Sequence, residues 1–433
     1  MIKRRGTLLI AGAAAIALAA TACSSSGSGG GGGSTSGSAS GSTSASTSAS
    51  TGGGTAATGS TIKIGYFVSL SGPQASSTVA ALPTAKAWAD YVNANGGLAG
   101  GHKVEIVSAD SKGDASAGQA AATNLVGNSG VDAIIMSDPI AEYAVYASLA
   151  KANLAVLDGS GYGPFWHQTP NFYDTSTDST ATELTSVLPA AQAGAKVMAV
   201  AACSEVASCA ESAGLIKPVA AKAGMSWGGV VKVASTGTDY TSQCLAFKQK
   251  STDYVYIAVA PQGTARLMSN CITQGYTGLF GSAATSFDPS TYGKVKGAKM
   301  VGAINGFPWW ANAAPVQTFR DAMTKYASGT NYETSQSTAT WASLELLRKA
   351  LSTTTGAVTR ATVLDAMNKV SNETLGGLLP QPVTFTPGKP SAAVNCFWSF
   401  KFNAGDKNPT LIPPPGTSGN GATGDLASSC LAS

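Results

Sequence analysis

The chain has 433 residues, 12% of them charged, and a formal net charge of +4 at pH 7. Three of the positive charges are Lys3, Arg4 and Arg5, and removing them leaves about +1, a balance that does not suggest a nucleic-acid partner. Seven cysteines and two histidines show no zinc-type spacing, so neither a metal site nor a cofactor is expected.

The basic residues precede an uncharged stretch from Thr7 to Thr21, about the length of a signal-peptide core and short for a bilayer span. It ends Ala20, Thr21, Ala22, Cys23, which resembles the lipobox of bacterial lipoproteins. That likeness implies a signal peptide over 1–23, a lipid on Cys23 and anchoring to the outer face of the bacterial cytoplasmic membrane. The alternative is an ordinary secretory signal with an incidental cysteine. Residues 24–60 contain only Ser, Gly, Thr and Ala, with no apolar surface to bury, and are expected to be a disordered linker whose mean span is roughly 35 Å. No later stretch is long and apolar enough to cross a membrane.

Setting Cys23 aside leaves six cysteines, an even number in an exported chain. Sequence alone does not choose among their 15 connectivities; pairing of neighbours is expected, Cys203 with Cys209, Cys244 with Cys271 and Cys396 with Cys430.

From Thr61 the chain alternates apolar strands with amphipathic helices, which indicates parallel sheet covered by helices. A strand over Ile62 to Val68 breaks off into Ser69, Leu70, Ser71, Gly72 and Pro73, a turn that opens a helix. In that helix Leu82, Ala85, Trp88, Ala89 and Val92 recur at three and four residues. Next come strand Lys103 to Val107, helix Asp114 to Val126, strand Val131 to Met136, helix Ile140 to Ala152 and strand Leu154 to Leu157. A polar crossing over Thr169 to Thr180 follows.

The second unit reads helix Ala181 to Ala193, strand Lys196 to Ala202, helix Val206 to Ala223, strand Val230 to Ala234 and helix Tyr240 to Lys250. Strand Asp253 to Val259, helix Gly263 to Gln274 and strand Gly278 to Phe280 complete it. The chain then returns through Met300 to Phe307 to helices at Pro315 to Ala327, Thr338 to Leu351 and Arg360 to Val370, expected to cover the first unit. Strands at Val383 to Phe385 and Val394 to Phe402 precede a Pro- and Gly-rich tail.

The stretches IKIGYFVSLSGPQAS, YVNANGGLAGGHKVEIVSADSKGDASAGQAAATNLV and VDAIIMSDPIAEYA resemble the substrate-binding proteins of branched-chain amino acid type ABC importers, the Leu/Ile/Val-binding family. The ordered set carries the likeness: a strand-LSGP-helix opening, an NxxGGxxG turn, an acidic residue (Asp110) ending the second strand, and an FTP-G stretch at Phe385 to Gly388. It implies α/β architecture with two doubly wound Rossmann-like lobes joined by three crossing strands, the type I periplasmic-binding-protein fold. On this reading the first lobe is 61–182 plus 311–378 and the second 183–310 plus 379–415, with a tail over 416–433 tied by Cys430.

The resemblance also implies ligand in the cleft between lobes, at the carboxyl ends of strands, where helix N-termini offer unpaired N–H groups. In the first lobe this selects Ser69, Ser71 and Gly72, then Ser137 with Asp138, then Gly159, Ser160 and Tyr162. In the second it selects Ser204 and Glu205, then Ala260, Pro261 and Gln262, then Ser282 to Thr285. Family members that hold α-amino acids commonly have an acidic residue in the last of these loops. Here it reads GSAATSFD, with Asp288 late and Glu205 as a substitute. Since a buried ammonium needs a counter-charge, a small, largely apolar molecule is favoured, a hydrophobic amino acid or a related small carboxylate both remaining open. Tyr162, Phe165, Trp166, Trp309 and Trp310 are candidates for an apolar wall.

The implied function is a non-enzymatic solute-binding lipoprotein, a monomer, whose partners are a small molecule, the permease and ATPase subunits of an importer, and the membrane through its lipid. The alternative is a receptor of the same fold that signals to a membrane partner. A hydrolase would need a nucleophile beside an oriented base; His102 and His167 are the only histidines, and no GxSxG elbow occurs.

Overall fold

The structure, a computed structural model, describes residues 59–73, 75–138, 140–159, 161, 163–177, 186–205, 208–412 and 418–430, the last but one without the side chains of 208–212. The expected signal peptide, Cys23, nearly all of the linker, Ser160, Tyr162 and the Cys209 side chain lie outside the described residues.

The first sheet is built from β1 (Gly59–Val68), β2 (His102–Asp110), β3 (Ala133–Ser137), β4 (Ala155–Asp158) and β5 (Phe172–Tyr173), in the order β2-β1-β3-β4-β5. All pairings are parallel. Register aligns the carboxyl ends: Val68 lies opposite both Asp110 and Ser137, and Met136 opposite Asp158. Both faces are covered, Ile64, Tyr66 and Val68 packing into one core cluster and Phe67, Ile134 and Met136 into another. Burial on two sides is why these strands read as continuous apolar runs.

Helices α1 (Ala75–Thr78), α2 (Ala81–Ala94), α3 (Ala115–Thr123) and α4 (Glu142–Ala150) belong to this lobe. The second lobe carries α5 (Val187–Gln192), α6 (Ser208–Lys222), α7 (Thr241–Gln249), α8 (Pro261–Thr273) and α9 (Pro289–Tyr292). Its strands are β6 (Val197–Cys203), β7 (Ser226–Val233), β8 (Tyr254–Ala258), β9 (Leu279–Ser282), β10 (Lys299–Ile304), β11 (Cys396–Asn403) and β12 (Thr410–Leu411), ordered β12-β11-β10-β9-β8-β6-β7. β6 to β10 run parallel to their neighbours, and β11 is antiparallel to β10 and β12.

The chain then returns. α10 (Ala314–Tyr326), α11 (Ser335–Ala350) and α12 (Arg360–Met367) pack on the first lobe, α10 and α11 against α2, and α11 and α12 against β4. Trp341 of α11 is the pivot of this layer, its ring 5.8 Å from Tyr91 and 5.3 Å from Phe319. The Trp88 indole N–H donates to Glu345 Oε1 at 2.7 Å. Together these observations give the two-lobed, doubly wound α/β fold expected from the sequence.

Disulfides join Cys244 to Cys271, fastening α7 to α8, and Cys396 to Cys430, fastening β11 to β13 (Ser429–Cys430). Cys203 is also disulfide-bonded.

Three local readings change. The crossing after β4 contains a fifth strand, Phe172–Tyr173, opposite Val156 and Leu157. The return through Met300 is itself a sheet strand, β10. Val383 to Phe385 forms no strand, only an isolated bridge between Val383 and Glu373; Pro380, Pro382 and Pro387 flank it and lack the N–H groups a ladder needs.

Candidate functional site

Three crossings meet in one hydrogen-bonded cluster. The Asn305 amide donates to Thr177 O at 3.4 Å, and the Thr177 hydroxyl donates to Cys396 O. Ser335 Oγ, at the start of α11, donates to Asn305 Oδ1 at 2.6 Å and accepts from the Gly306 N–H at 3.1 Å. Ser391 Oγ donates to Phe172 O at 2.7 Å and accepts from the Asp174 N–H at 3.2 Å. Gly306 is obligatory for this approach, since a Cβ there would stand 2.2 Å from Thr338 Oγ1 and 2.4 Å from Ser335 O. The junction is polar, buried and satisfied, which gives each crossing a defined position.

Above it the strand tips of the first lobe present Ser69, Ser137 and Gly159. Ser69 is fully buried, its Oγ donating to Ser71 O at 3.3 Å and its carbonyl accepting from Thr78 Oγ1 of α1. Ser71 is exposed, and its hydroxyl donates to Asp110 Oδ2 at 2.8 Å. Asp110 Oδ1 also accepts from the N–H groups of Leu70 and Lys112, each at 2.9 Å. Burial opposes the Asp110 charge, but the Lys112, Leu70 and Ser71 donors outweigh it and hold the carboxyl below its ordinary value. Gly72, at φ +86°, lies over this clasp; a Cβ would stand 2.2 Å from Lys112 O. Ser71 and Gly72 thus shape the loop.

Ser137 is buried and donates to Gly159 O at 3.0 Å. The buried Gln336 amide of α11 donates to both Ser137 Oγ and Gly159 O. Tyr66 of β1 bonds Thr340 of the same helix at 2.8 Å, and burial, opposed by hydroxyls of Ser137 and Thr340, pushes its phenol up to about 12. The first turns of α11, Ser335 to Thr340, are therefore a hydroxyl and amide plug beneath the tips of β1, β3 and β4.

In the second lobe Ser282 is buried at the end of β9 beside Tyr292, whose hydroxyl donates to Ser286 O. Glu205 is exposed and accepts from the Ser235 N–H at 2.6 Å, tying the loop after β6 to that after β7. Gln262 is exposed in the first turn of α8. The lobes meet where Ser77 of α1 faces Ser286, hydroxyl oxygens 3.3 Å apart and both residues buried. α1 also packs against α8.

The strand-tip carboxylates share one use. Asp138 accepts from the N–H groups of Ile140 and Ala141, both at 2.8 Å, and Asp158 from those of Gly161 at 2.6 Å and Ser176 at 3.1 Å. Asp288 caps α9 through Ser290 and Thr291 and accepts from Asn331 Nδ2 at 3.2 Å. Nearby Glu333 is pushed up by burial and by the Asp288 charge, with Lys407 opposing. Asp110, Asp138, Asp158, Glu205 and Asp288 all fix backbone. No Lys or Arg occurs among the buried polar side chains of the described residues.

Phe165 and Trp166 do not wall the seam. Phe165 stacks on Tyr146 at 4.6 Å, and Trp166 meets Phe172 edge-on at 5.1 Å, in the outer cluster of the first lobe. Trp309 is buried with Phe287 at 6.0 Å and Trp310 at 4.7 Å. His102 lies between the carbonyls of Ser60 (2.6 Å) and Gly356 (2.9 Å), and His167 is 3.7 Å from Asp174. Among the described residues no cluster of three His, Cys, Asp or Glu is placed to hold a metal, and no helix is long and apolar enough to cross a membrane.

Sequence reasoning missed Ser77, Ser286, Asn305 and Gln336. The run TSQSTAT would have flagged the last only to a reader who asked why a helix begins with so many hydroxyls.

Two doubly wound lobes, joined by hydrogen-bonded crossings and meeting where Ser77 faces Ser286, define a bilobal α/β architecture. The chain belongs to the periplasmic binding protein family, whose sequence profile matches residues 61–407. No curated protein sequence matches it. Among solved structures it is similar to the branched-chain amino acid transporter substrate-binding protein of Streptococcus pneumoniae in complex with isoleucine (17% identity, TM-score 0.65, covering 81% of this chain and 99% of that one). It is also similar to a fatty acid ABC transporter substrate-binding protein from Thermomonospora curvata (17%, TM-score 0.67, 83% and 93%). A third is an ABC transporter solute-binding protein from Rhodopseudomonas palustris BisB5 in complex with 3,4-dihydroxybenzoic acid (17%, TM-score 0.64, 79% and 98%).

Proposed function

We propose that this protein captures a small, largely apolar carboxylate between its lobes and delivers it to an ABC importer, with no chemistry on the ligand. The carrying observation is the commitment of every strand-tip acid named above to backbone N–H groups, beside a seam of buried Ser, Thr, Gln and Asn. Such a seam suits an anion held by hydroxyls and N–H groups, and it offers an ammonium no ready counter-charge. Structurally similar proteins bind isoleucine and 3,4-dihydroxybenzoic acid, and one belongs to a fatty acid transporter, a range compatible with a carboxylate as the shared group.

Ser69, Ser137, Gly159 and Ser160 are proposed as the first-lobe contacts, with Ser71 and Gly72 shaping their loop. Tyr162, Ser282, Gln262 and the turn through Ser286 complete the site from either side. Glu205 is proposed as a loop tie. Export, a lipid on Cys23 and action as a monomer belong to the same reading.

Calorimetric titration with matched pairs tests it. 3-Methylpentanoate should bind at least tenfold more tightly than isoleucine; a preference for isoleucine would reject the carboxylate assignment.

A further inference from the structure

In the second lobe lies a groove of about 770 Å³ between α8 and the segment from Thr291 to Gly297. Its helix wall consists of Ala265, Arg266, Ser269, Ile272 and Thr273, positions that recur on one face at helical spacing. The floor is apolar, made of Ile272 and the nearly buried Val295. All three charged lining residues, Arg266, Lys294 and Lys296, are cations, and no carboxylate lines the groove. The Lys294 and Lys296 side chains are exposed and enter no ion pair or hydrogen bond among the described residues. Arg266 donates one N–H to Ser235 O at 3.2 Å and lies against the Tyr240 phenol, which steadies it.

We propose that this groove is a second binding site, separate from the interlobe seam, for an amphiphilic anion: an aliphatic chain over Ile272 and Val295 with a carboxylate between the lysines. A volume of this size falls within the range of small-molecule pockets, about 300–1,000 Å³. The apolar floor and cationic rim match the two halves of such a molecule.

The site is wired to the seam. Thr291, on the groove wall, donates its hydroxyl to Asp288 Oδ2 at 2.7 Å, while Asp288 Oδ1 accepts from Asn331, in the segment preceding α11 on the other lobe. Asn331 Nδ2 also reaches Ser290 Oγ at 3.0 Å. The wall from Ser290 to Gly297 therefore takes its position partly from lobe contact, so an occupant favours the arrangement in which Asn331 and Asp288 meet.

The test is a decanoate titration, below its micelle concentration, of full-length protein labelled at isoleucine methyl groups, with the Ile272 signal assigned by its loss in Ile272→Val. Decanoate should shift the Ile272 methyl, 1-decanol should shift it far less, and Lys294→Glu/Lys296→Glu should move the decanoate midpoint at least tenfold upward. Decanoate bound in the seam would reach this methyl only through lobe closure, and its midpoint would not depend on Lys294 and Lys296, so the double variant separates the two sites. An unmoved Ile272 methyl, an unchanged midpoint in the double variant, or an Ile272 shift produced by a Glu-rich peptide and not by decanoate would each overturn the proposal.

Discussion

Ser77 of the first lobe and Ser286 of the second meet with their hydroxyl oxygens 3.3 Å apart, both buried, in a short bridge across the seam. Their contact marks the lobes as closed upon one another.

Bulk at this point should hold the lobes apart. Ser286→Trp is expected to weaken ligand binding at least tenfold while leaving far-ultraviolet circular dichroism unchanged, with a larger radius of gyration by small-angle scattering. Unchanged affinity would mean that closure does not pass through this contact.

Asn305 ties the crossings by donating to Thr177 O and accepting from Ser335 Oγ. Asn305→Ala removes the amide that donates to Thr177 O and the oxygen that accepts from Ser335 Oγ, two buried hydrogen bonds together worth about 1–3 kcal/mol. Urea denaturation should show a loss in that range with an unchanged slope.

The Asp110 clasp gives a pH signature. Its folded carboxyl titrates below the ordinary value, so its contribution is fully present above the unfolded value of about 3.9 and is lost as pH falls through the folded one. Wild type should therefore exceed Asp110→Asn in stability from pH 5 to 8, and the gap should close below about pH 4. A gap that persisted in acid would mean packing, not charge, sets the loop.

Cys244 and Cys271 close a loop with a sequence separation of 27. Chain-entropy arithmetic assigns such a crosslink about 3–4 kcal/mol. The Cys244→Ala/Cys271→Ala variant should lose that much by denaturation in oxidising buffer and keep its ligand affinity, because α7 and α8 are fastened at Cys271, ten residues along the helix from its seam end at Pro261.

Much of the frame was legible because parallel strands buried on both faces leave short continuous apolar runs bounded by turn residues. β1, β3, β4, β6 and β8 all stand within a few residues of their expected places. β5 escaped notice because two residues leave no period, and β10 because its direction is set by a neighbour nearly a hundred residues away in β11. The site was harder to read. Asp110 stands out in sequence as an acid ending a strand, but its use as a clasp depends on a loop forty residues earlier. The buried face of α11 hid because Ser335 to Thr340 are ordinary surface residues by composition, buried here only because Ser137, Gly159 and Asn305 offer partners.

The most direct measurement is a crystal structure of the protein with the tightest-binding acid from the calorimetric series. The ligand carboxylate is expected within hydrogen-bond distance of the tips of β1, β3 and β4, enclosed by the turn through Ser286, with Ser77 and Ser286 on opposite sides of it or still in contact above it. An acid bound outside the seam, with those tips untouched, would contradict capture between the lobes.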